Sequence, residues 1–390
     1  MRNQTKDTKV HEGTRVFRNL SINPMSEAAV KNPPTKSEEP AAASLPGSSC
    51  PLPIASHEQI VLGHGSGGKL SAQLIERVFL PAFSNPVLNK LDDQAVLQIN
   101  GSRLAFTTDA FVVTPLFFPG GDIGRLAVNG TVNDLAMSGA RPMYLAAAFI
   151  LEEGLATEEL RRVVQSMSEA ANKAGVQLVA GDTKVVNRGK GDKVFISTTG
   201  IGIVEKAVNI SADRARPGDK IILSGYIGDH GMAILSQREN LEFEGVIESD
   251  CAALNELVSE MLDVNLDIHC LRDPTRGGVA TVLNEIAQRS KQGMLLRETE
   301  IPVRDTVRGA CEILGLDPLY VANEGKLIAI VPSEAADAIV DRMQRNPLGR
   351  DARIIGEVVG EHPGMVLMQT EIGGTRILDT LFGEQLPRIC

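Results

Sequence analysis

Acidic side chains stand beside predicted strands and helices of this 390-residue chain, where they could bind a hard cation. Mg²⁺ takes carboxylates together with nucleotide phosphates, so aspartates that meet at one strand edge would suit this ion. A single aspartate in such a place is more typical of a cap or a solvated turn. The candidates are Asp92-Asp93, Asp109, Asn133-Asp134 and Asp182.

A glycine-rich loop, Gly63-His-Gly-Ser-Gly-Gly-Lys69, lies between a predicted strand and a predicted helix. Backbone N–H groups at such a junction can bind phosphate. The loop nearly matches a P-loop, but Leu70 stands where the magnesium-binding hydroxyl would be. It also matches G-x-G-x-x-G, which is a weak pattern by itself. A purely structural glycine turn is the alternative.

The segment Gly181-Asp-Thr-Lys184 combines a flexible glycine, an acid, a hydroxyl and an amine. It follows a short apolar run, so these polar groups would lie at the end of a strand. Such a set could contact a nucleotide and its metal ion. A surface turn accounts for it equally well.

The last residue, Cys390, places a thiol beside the free α-carboxylate. Gly373-Gly374 loosens the chain before it and Pro387 stiffens the end. Fifteen extended residues span roughly 50 Å, so such a tail could lie in a site on its own chain and also reach a partner. A frayed terminus with an incidental thiol is the alternative.

Composition excludes several classes of function. The net charge is -10, hydrophobic residues make up 43%, aromatic residues make up 4%, and tryptophan is absent. Without basic blocks or stacking aromatics, the chain is not expected to bind nucleic acid. No apolar run predicts a membrane span. The five cysteines show no C-x-x-C pair or zinc spacing, which favours a reducing cytoplasm.

The distribution of apolar and polar segments predicts an α/β (α+β) protein in four parts. Residues 1–56 are rich in Pro, Ser and Ala and are expected to be disordered. Residues 57–208 are expected to form one domain and residues 209–374 a second. Residues 375–390 are expected to be a mobile tail.

Hydrophobic periodicity and turn residues predict the elements that position these groups. Asn100-Gly101 indicates a two-residue hairpin. The expected strands are 58–62, 95–99, 103–107, 143–151, 176–179, 194–203, 220–224, 327–331, 352–355 and 365–369. The expected helices are 71–80, 124–138, 157–174, 229–237, 250–262, 277–288 and 334–345.

Motifs from about residue 58 to the end resemble those of the HypE family of hydrogenase maturation factors. The acidic and glycine motifs are shared with the wider superfamily of aminoimidazole ribonucleotide synthetase, selenophosphate synthetase and thiamine-phosphate kinase, whereas the Pro-Arg-Ile-Cys end is diagnostic of HypE. The motifs are Gly65-Ser-Gly-Gly-Lys69, Asp92-Asp-Gln-Ala95, Thr107-Thr-Asp-Ala110, Asn129-Gly-Thr-Val-Asn-Asp134, Gly181-Asp-Thr-Lys184, Asp273-Pro-Thr-Arg276, Asn323-Glu-Gly-Lys326 and Pro387-Arg-Ile-Cys390.

The resemblance implies a two-domain fold like that of aminoimidazole ribonucleotide synthetase, forming a homodimer, and an ATP- and Mg²⁺-dependent carbamoyl dehydratase. It also implies that the first domain, 57–208, binds ATP and magnesium and forms the dimer. A carbamoyltransferase, HypF, would load a carboxamide onto Cys390. ATP would activate its oxygen, and loss of phosphate would leave an S-cyanide. The HypC–HypD complex would receive this precursor of the cyanide ligands of [NiFe] hydrogenase.

The resemblance also implies residue roles. Cys390, Lys184 and Glu324 would be catalytic, the last two as an acid–base pair. Metal binding would fall to Asp93 (favoured over Asp92), Asp109, Asp134 and Asp182, and nucleotide binding to Asn133, Gly181, Asp182, Thr183 and Lys69. The superfamily does not use a Walker loop, so the likeness of Lys69 to a P-loop lysine carries no weight.

Two other functions stay open. A small-molecule synthetase or kinase of the same superfamily would turn over ATP without needing Cys390. A non-enzymatic assembly factor with a docking tail would bind its partners without Asp93, Asp182 or Glu324.

Two histidines in glycine-rich loops, His64 and His230, are expected to be structural.

Overall fold

The computed structural model describes residues 59–241, 243, 245–383, 386 and 389–390. The segment expected to be disordered, 1–56, lies outside these residues, as do Pro387 and Arg388 of the terminal motif. Among the helices that this part of the chain forms, none has the length and apolar character needed to cross a membrane.

The described residues form fourteen strands and nine α-helices. The strands are β1 (Ala95–Ile99), β2 (Ser102–Phe111), β3 (Phe117–Phe118), β4 (Gly121–Asp122), β5 (Ala140–Glu152), β6 (Gln177–Val186), β7 (Val194–Val204), β8 (Lys220–Leu223), β9 (Cys270–Arg272), β10 (Gly293–Arg297), β11 (Ile328–Val331), β12 (Arg353–Val359), β13 (Val366–Gln369) and β14 (Thr375–Leu378). The helices are α1 (Lys69–Leu74), α2 (Leu80–Phe83), α3 (Ile123–Met137), α4 (Thr157–Ala174), α5 (Asp229–Glu239), α6 (Asn255–Val264), α7 (Gly278–Ser290), α8 (Asp305–Leu314) and α9 (Ser333–Met343).

The first sheet has the order β1-β2-β7-β5-β6. The hairpin expected at Asn100-Gly101 is confirmed, and both residues have positive φ, 48° and 83°, as a type I′ turn requires. Within this first sheet as described, β5 and β6 are the one parallel pair, and α4 is the helix that connects them. The strand expected at 58–62 was wrong for the residues described there, because Leu62–Gly65 forms a 3₁₀ turn.

Helix α3 covers one face of this sheet, and 13 of its 15 residues are buried. It begins where the Asp122 carboxylate accepts hydrogen bonds from the backbone N–H groups of Gly124 and Arg125. Gly200 of β7 lets the helix approach the sheet closely, because a Cβ there would lie 2.8 Å from the side chains of Leu135 and Thr131. The expected helix at 124–138 is therefore confirmed, and it lies at the centre of the fold.

The second sheet has the order β14-β13-β10-β12-β8-β11-β9. One apolar core joins it to the first sheet through residues of α3, α6 and α9, among them Leu135, Leu257 and Ile339. The expected helix at 250–262 begins later, at Asn255, because residues 250–252 instead bond to the Glu324 turn. Residues 375–378, the first part of the expected mobile tail, form strand β14 and pair with β13.

Leu135→Ala should lower the free energy of unfolding by about 2–5 kcal/mol, because it removes a fully buried side chain from the core that joins the two sheets. Urea denaturation followed by far-UV circular dichroism measures the change. The control is Val164→Ala at a half-exposed position of α4, where a change within about 0.5 kcal/mol is expected. Equal effects of the two substitutions would contradict this account of the core.

Candidate active site

Two carboxylates, those of Asp109 and Asp134, meet where α3 packs on β2. They are hydrogen-bonded to each other, and Thr107 Oγ1 lies 2.8 Å from Asp134 Oδ2. Burial raises the pKa of both carboxyls, and for Asp134 repulsion from Asp109 and Asp273 raises the pKa further. Two such groups cannot both stay ionised in a dry site without a shared proton or a cation.

Asp93 lies beside this pair but already has a cationic partner. Its Oδ2 atom is 2.8 Å from Arg272 Nε, and Arg272 also bonds Glu285 at 2.7 Å. Burial is the main cause that raises the pKa of Asp93, and Arg272 opposes it. Arg272 ends β9, a three-residue strand that periodicity did not detect, so no sequence signal pointed to this ion pair.

Glu324 and Asp273 complete the group of buried acids. Burial, then repulsion from Asp273 and Asp250, raises the pKa of Glu324 well above its ordinary value. Burial likewise raises the pKa of Asp273 to about 6. Within the described residues, Glu324 Oε1 has no hydrogen-bond partner. The sequence assigned Asp273 no role beyond its place in the motif Asp273-Pro-Thr-Arg276, and its burial among these acids is seen only in the structure.

The backbone of Glu324 is held by a tight turn. Its N–H donates to Asp250 Oδ1 at 3.0 Å, and its carbonyl accepts from Asn133 Nδ2 at 3.4 Å. The next residue must be glycine, because a Cβ on Gly325 would lie 1.8 Å from the Asp250 carbonyl oxygen. The turn therefore fixes the backbone from which the Glu324 carboxylate projects.

The C-terminus lies inside the protein. The backbone N–H of Val112 donates to a terminal oxygen of Cys390 at 2.9 Å, and Ile389 is buried in the core formed by α3 and α4. Burial raises the pKa of the Cys390 thiol to about 12, and Arg276 opposes that rise. The negative charges that face this thiol are Glu324 and Asp109. The tail therefore brings its sulfur to the buried acids.

The glycine-rich loop closes over the tail. Lys69 N–H donates to the Leu381 carbonyl at 2.9 Å, and Lys69 Nζ lies 2.7 Å from Asp379 Oδ2. A Cβ on Gly68 would lie 2.5 Å from that same carbonyl. Beside this contact the remaining cavity measures about 20 Å³, room for about one water. Lys69, an expected nucleotide ligand, thus contacts the tail in this state.

The expected convergence of all four aspartates does not occur within one chain. Asp182 pairs with Ala148 in register and lies on the exposed face of the sheet, whereas Asp109 lies on the face that α3 covers. Two strands intervene between β2 and β6, a separation of about 14 Å. Asp182 instead pairs with Lys184 at 2.8 Å. The alternation of side chains along a strand places the two aspartates on opposite faces.

The other expected nucleotide ligands divide between these two places. Gly181 and Thr183 lie on β6 next to Asp182, far from the buried acids. Asn133 is near the acids, but its amide is engaged by the Ala252 carbonyl at 3.0 Å and the Leu254 N–H at 2.8 Å. Asn133 therefore ties α3 to the loop before α6 in this state.

The single chain does not by itself build a metal cage. Nowhere in the described ranges do three or more His, Cys, Asp or Glu side chains adopt an arrangement that could hold an ion. The site instead combines a docked thiol, a carboxylate with one oxygen that has no hydrogen-bond partner among the described residues, and a pair of acids that share a hydrogen bond. Such a site can remove a proton from a group on the sulfur and attract a cation that brings further ligands.

Comparison with known proteins places these features in a family. The AIR synthase related N-terminal domain matches residues 91–204 and the AIR synthase related C-terminal domain matches residues 216–368. These two matches confirm the expected two-domain α/β fold class. The chain is 57% identical over 333 residues to the carbamoyl dehydratase HypE of Cupriavidus necator, covering 85% of this chain and 95% of that protein.

Solved structures agree with the sequence matches. A HypE–HypF complex superposes with a TM-score of 0.76 at 49% identity, covering 79% of this chain and 99% of that one. A structure of HypE in complex with ATP superposes with a TM-score of 0.72 at 54% identity, and the match covers 85% of this chain and 100% of that one. Thiamine-phosphate kinase-type structures are about 22% identical and show the shared fold alone.

In metal-free buffer, Cys390 should react with iodoacetamide about ten-fold or more slowly at pH 8 than the same thiol in a free peptide of residues 376–390. The docked thiol has the raised pKa, so its docking is strongest below about pH 8.5 and weakens as the pH rises from there towards 12. Peptide mass spectrometry at successive times measures both rates. Equal rates in protein and peptide would contradict the docked thiol.

Proposed function

Because the chain belongs to the HypE family of carbamoyl dehydratases, we propose that it uses ATP to dehydrate an S-carboxamide on Cys390 to an S-cyanide, for [NiFe] hydrogenase maturation. The observation that carries this proposal is the docked C-terminus, whose thiol faces Glu324, Arg276 and Asp109. A group bound to that sulfur would lie among acids that can take its protons. The 95% coverage of the Cupriavidus protein supports carrying over the whole activity.

The proposed reaction balances as carboxamide plus ATP giving cyanide, ADP, hydrogen phosphate and one proton released to solvent. The amide oxygen attacks the γ-phosphorus, an O–P bond forms and ADP leaves. The C–O bond then breaks with loss of phosphate, while both N–H protons are removed and the C≡N bond forms. Glu324 suits the role of base, because its raised pKa makes the carboxylate a stronger proton acceptor once ionised.

We propose that Asp109 and Asp134 hold Mg²⁺ together with phosphate oxygens of ATP. Their mutual repulsion and raised pKa values fit a site that needs a cation. Mg²⁺ is commonly bound through one or two carboxylates plus substrate phosphates, which agrees with the lack of a complete cage among the described side chains. When bound, the ion would neutralise charge on the transferring phosphoryl group. Asp93 would support this site through Arg272.

We further propose a homodimer that completes each site in trans. The outer face of the first sheet exposes Phe106, Ile201 and Tyr144 by about 40% each, an apolar surface of the kind that a partner covers. Asp182 and Lys184 lie at the edge of this same face. A second copy packed there could bring its own Asp182 and Lys184 to the nucleotide.

The proposed partners act on the same tail in turn. A carbamoyltransferase of the HypF type would load Cys390, as the HypE–HypF complex supports for a relative, and a HypC–HypD complex would take the cyanide. The buried free thiols Cys251, Cys270 and Cys311 support a reducing, cytoplasmic setting.

The change of sheet between β7 and β8 supports the proposed domain boundary at 208–209.

Glu324→Gln should slow loss of water from carbamoylated Cys390 by about a hundred-fold or more, because it removes the proposed base. The protein is loaded with its carbamoyltransferase and carbamoyl phosphate, supplied with Mg-ATP, and followed by intact mass of the C-terminal peptide. Glu256→Gln, at an exposed position of α6, is the matched control and should react at the wild-type rate.

The same assay separates the rival functions. Consumption of ATP by a Cys390→Ala variant at the wild-type rate, without any adduct on wild-type Cys390, would favour a small-molecule synthetase. Loading of Cys390 without any loss of water, in the presence of ATP, would favour a docking tail.

Mixing Asp182→Asn and Glu324→Gln chains should restore roughly a quarter of wild-type dehydration, because half of the randomly formed dimers would carry one intact site of two. Each variant alone should be nearly inactive. The measurement is the rate of water loss after subunit exchange, with size-exclusion chromatography confirming dimers. Inactivity of the mixture would show that Asp182 acts on its own chain, whereas wild-type activity of Asp182→Asn by itself would show that Asp182 plays no part.

A further inference from the structure

His230 lies in the first turn of α5, within a glycine-rich stretch, and is fully buried. Its Nε2 atom is 2.6 Å from the carbonyl oxygen of Ile389, the residue before the terminal cysteine. Its Nδ1 atom is 2.8 Å from Ser249 Oγ. The ring of Phe118 packs edge-on at 5.6 Å. One buried imidazole thus joins the tail to the body of the protein.

The partners of His230 determine its tautomer. A carbonyl oxygen only accepts, so Nε2 must carry the proton that bonds Ile389. In the neutral ring Nδ1 then accepts from the Ser249 hydroxyl. That hydroxyl in turn accepts the N–H of Cys251 at 3.1 Å, so the chain of donors and acceptors is complete. Burial lowers the pKa of His230, which agrees with a neutral ring.

The two bonds to the end of the chain lie on either side of Cys390. His230 holds the carbonyl that precedes the Cys390 amide, and the Val112 N–H holds a terminal oxygen that follows its Cα. Ile389 is only 4% exposed. It therefore cannot move without losing its apolar contacts with the core formed by α3 and α4. The sulfur is left with little freedom beyond rotation about its own Cα–Cβ bond.

The groove next to His230 is shaped for the same segment. The following residue, Gly231, has no side chain, and a Cβ there would lie 3.0 Å from Leu386 of the tail and 2.5 Å from Val321. Leu386 packs against the cluster that α5 and α8 share. Helix α5 therefore meets the tail at two points, an apolar contact at Leu386 and a hydrogen bond at Ile389.

We propose that His230 is a positioning residue for the dehydration, because its Nε2–H bond to the Ile389 carbonyl seats the Cys390 sulfur beside Glu324 and Arg276. The proposal rests on the proposed function of Cys390. A misplacement of about 1 Å at a reacting atom can reduce a rate about a hundred-fold. His230 itself does not touch the reacting atoms, so it acts through the position of the tail.

His230→Ala should slow the single-turnover loss of water from carbamoylated Cys390 by about ten- to a hundred-fold, with the KM for ATP unchanged. His230→Gln should recover most of the rate, because its amide nitrogen can replace Nε2 as the donor. The matched control is His269→Gln, a buried histidine bonded to Asp219 and away from the tail, which should keep the wild-type rate.

A second readout does not depend on dehydration. Iodoacetamide should label Cys390 several-fold faster in His230→Ala than in the wild type, while His230→Gln and His269→Gln stay close to the wild type. If His230→Ala does not fold, Ser249→Ala takes its place, since it removes the hydroxyl that fixes the orientation of the ring and should raise labelling in the same direction.

The outcomes separate this inference from the proposed function. Wild-type labelling and wild-type water loss in His230→Ala, or a loss of rate in His269→Gln equal to that in His230→Ala, would overturn the positioning role. Absence of water loss in the wild type would refute the proposed dehydration, and the labelling rates would then decide alone whether His230 holds the tail.

Discussion

The structure depends on keeping several carboxylates in a dry site with too few cations to balance them. Arg272 compensates Asp93, and Arg276 faces the terminal thiol, but Asp109, Asp134 and Glu324 have no full compensation. Buried like charges raise one another's pKa, so these groups take up protons or attract a cation. The same imbalance that destabilises the resting site gives it a strong proton acceptor and favours the binding of a cation, as the proposed function requires.

The scaffold holds these groups by fastening parts of the chain that are distant in sequence. Helix α3 supplies Asp134 and, through Asn133, bonds both the loop before α6 and the Glu324 carbonyl. The core that joins the two sheets keeps α3 in place from both sides. A shift of α3 would therefore move Asp134 and Asn133 and, through the Asn133 bond, disturb the turn that holds Glu324. The extensive burial of α3 opposes such a shift.

In the part of the tail that the structure describes, several separate contacts fasten it to the body of the protein. They include a strand pairing that ends at Leu378, an exposed ion pair between Lys69 and Asp379, and the bonds that His230 and Val112 make at the terminus. Exposed ion pairs contribute little, so the terminal bonds and the burial of Ile389 decide whether the sulfur stays in place. Under the proposed function, such moderate fastening suits a segment whose cysteine would reach partners and return.

The sequence by itself determined the elements with strong local signals, such as the hairpin at Asn100-Gly101 and helix α4, and the motifs that place the chain in its family. Turn chemistry and hydrophobic period act between near neighbours, so they can be read without the fold. Only the tertiary structure decided that Asp182 lies on the opposite face from Asp109, that Arg272 neutralises Asp93 and that His230 holds the tail. The contacts of Arg272 with Asp93 and of His230 with Ile389 join residues 179 and 159 positions apart, and no local pattern specifies the burial that gives them their strength.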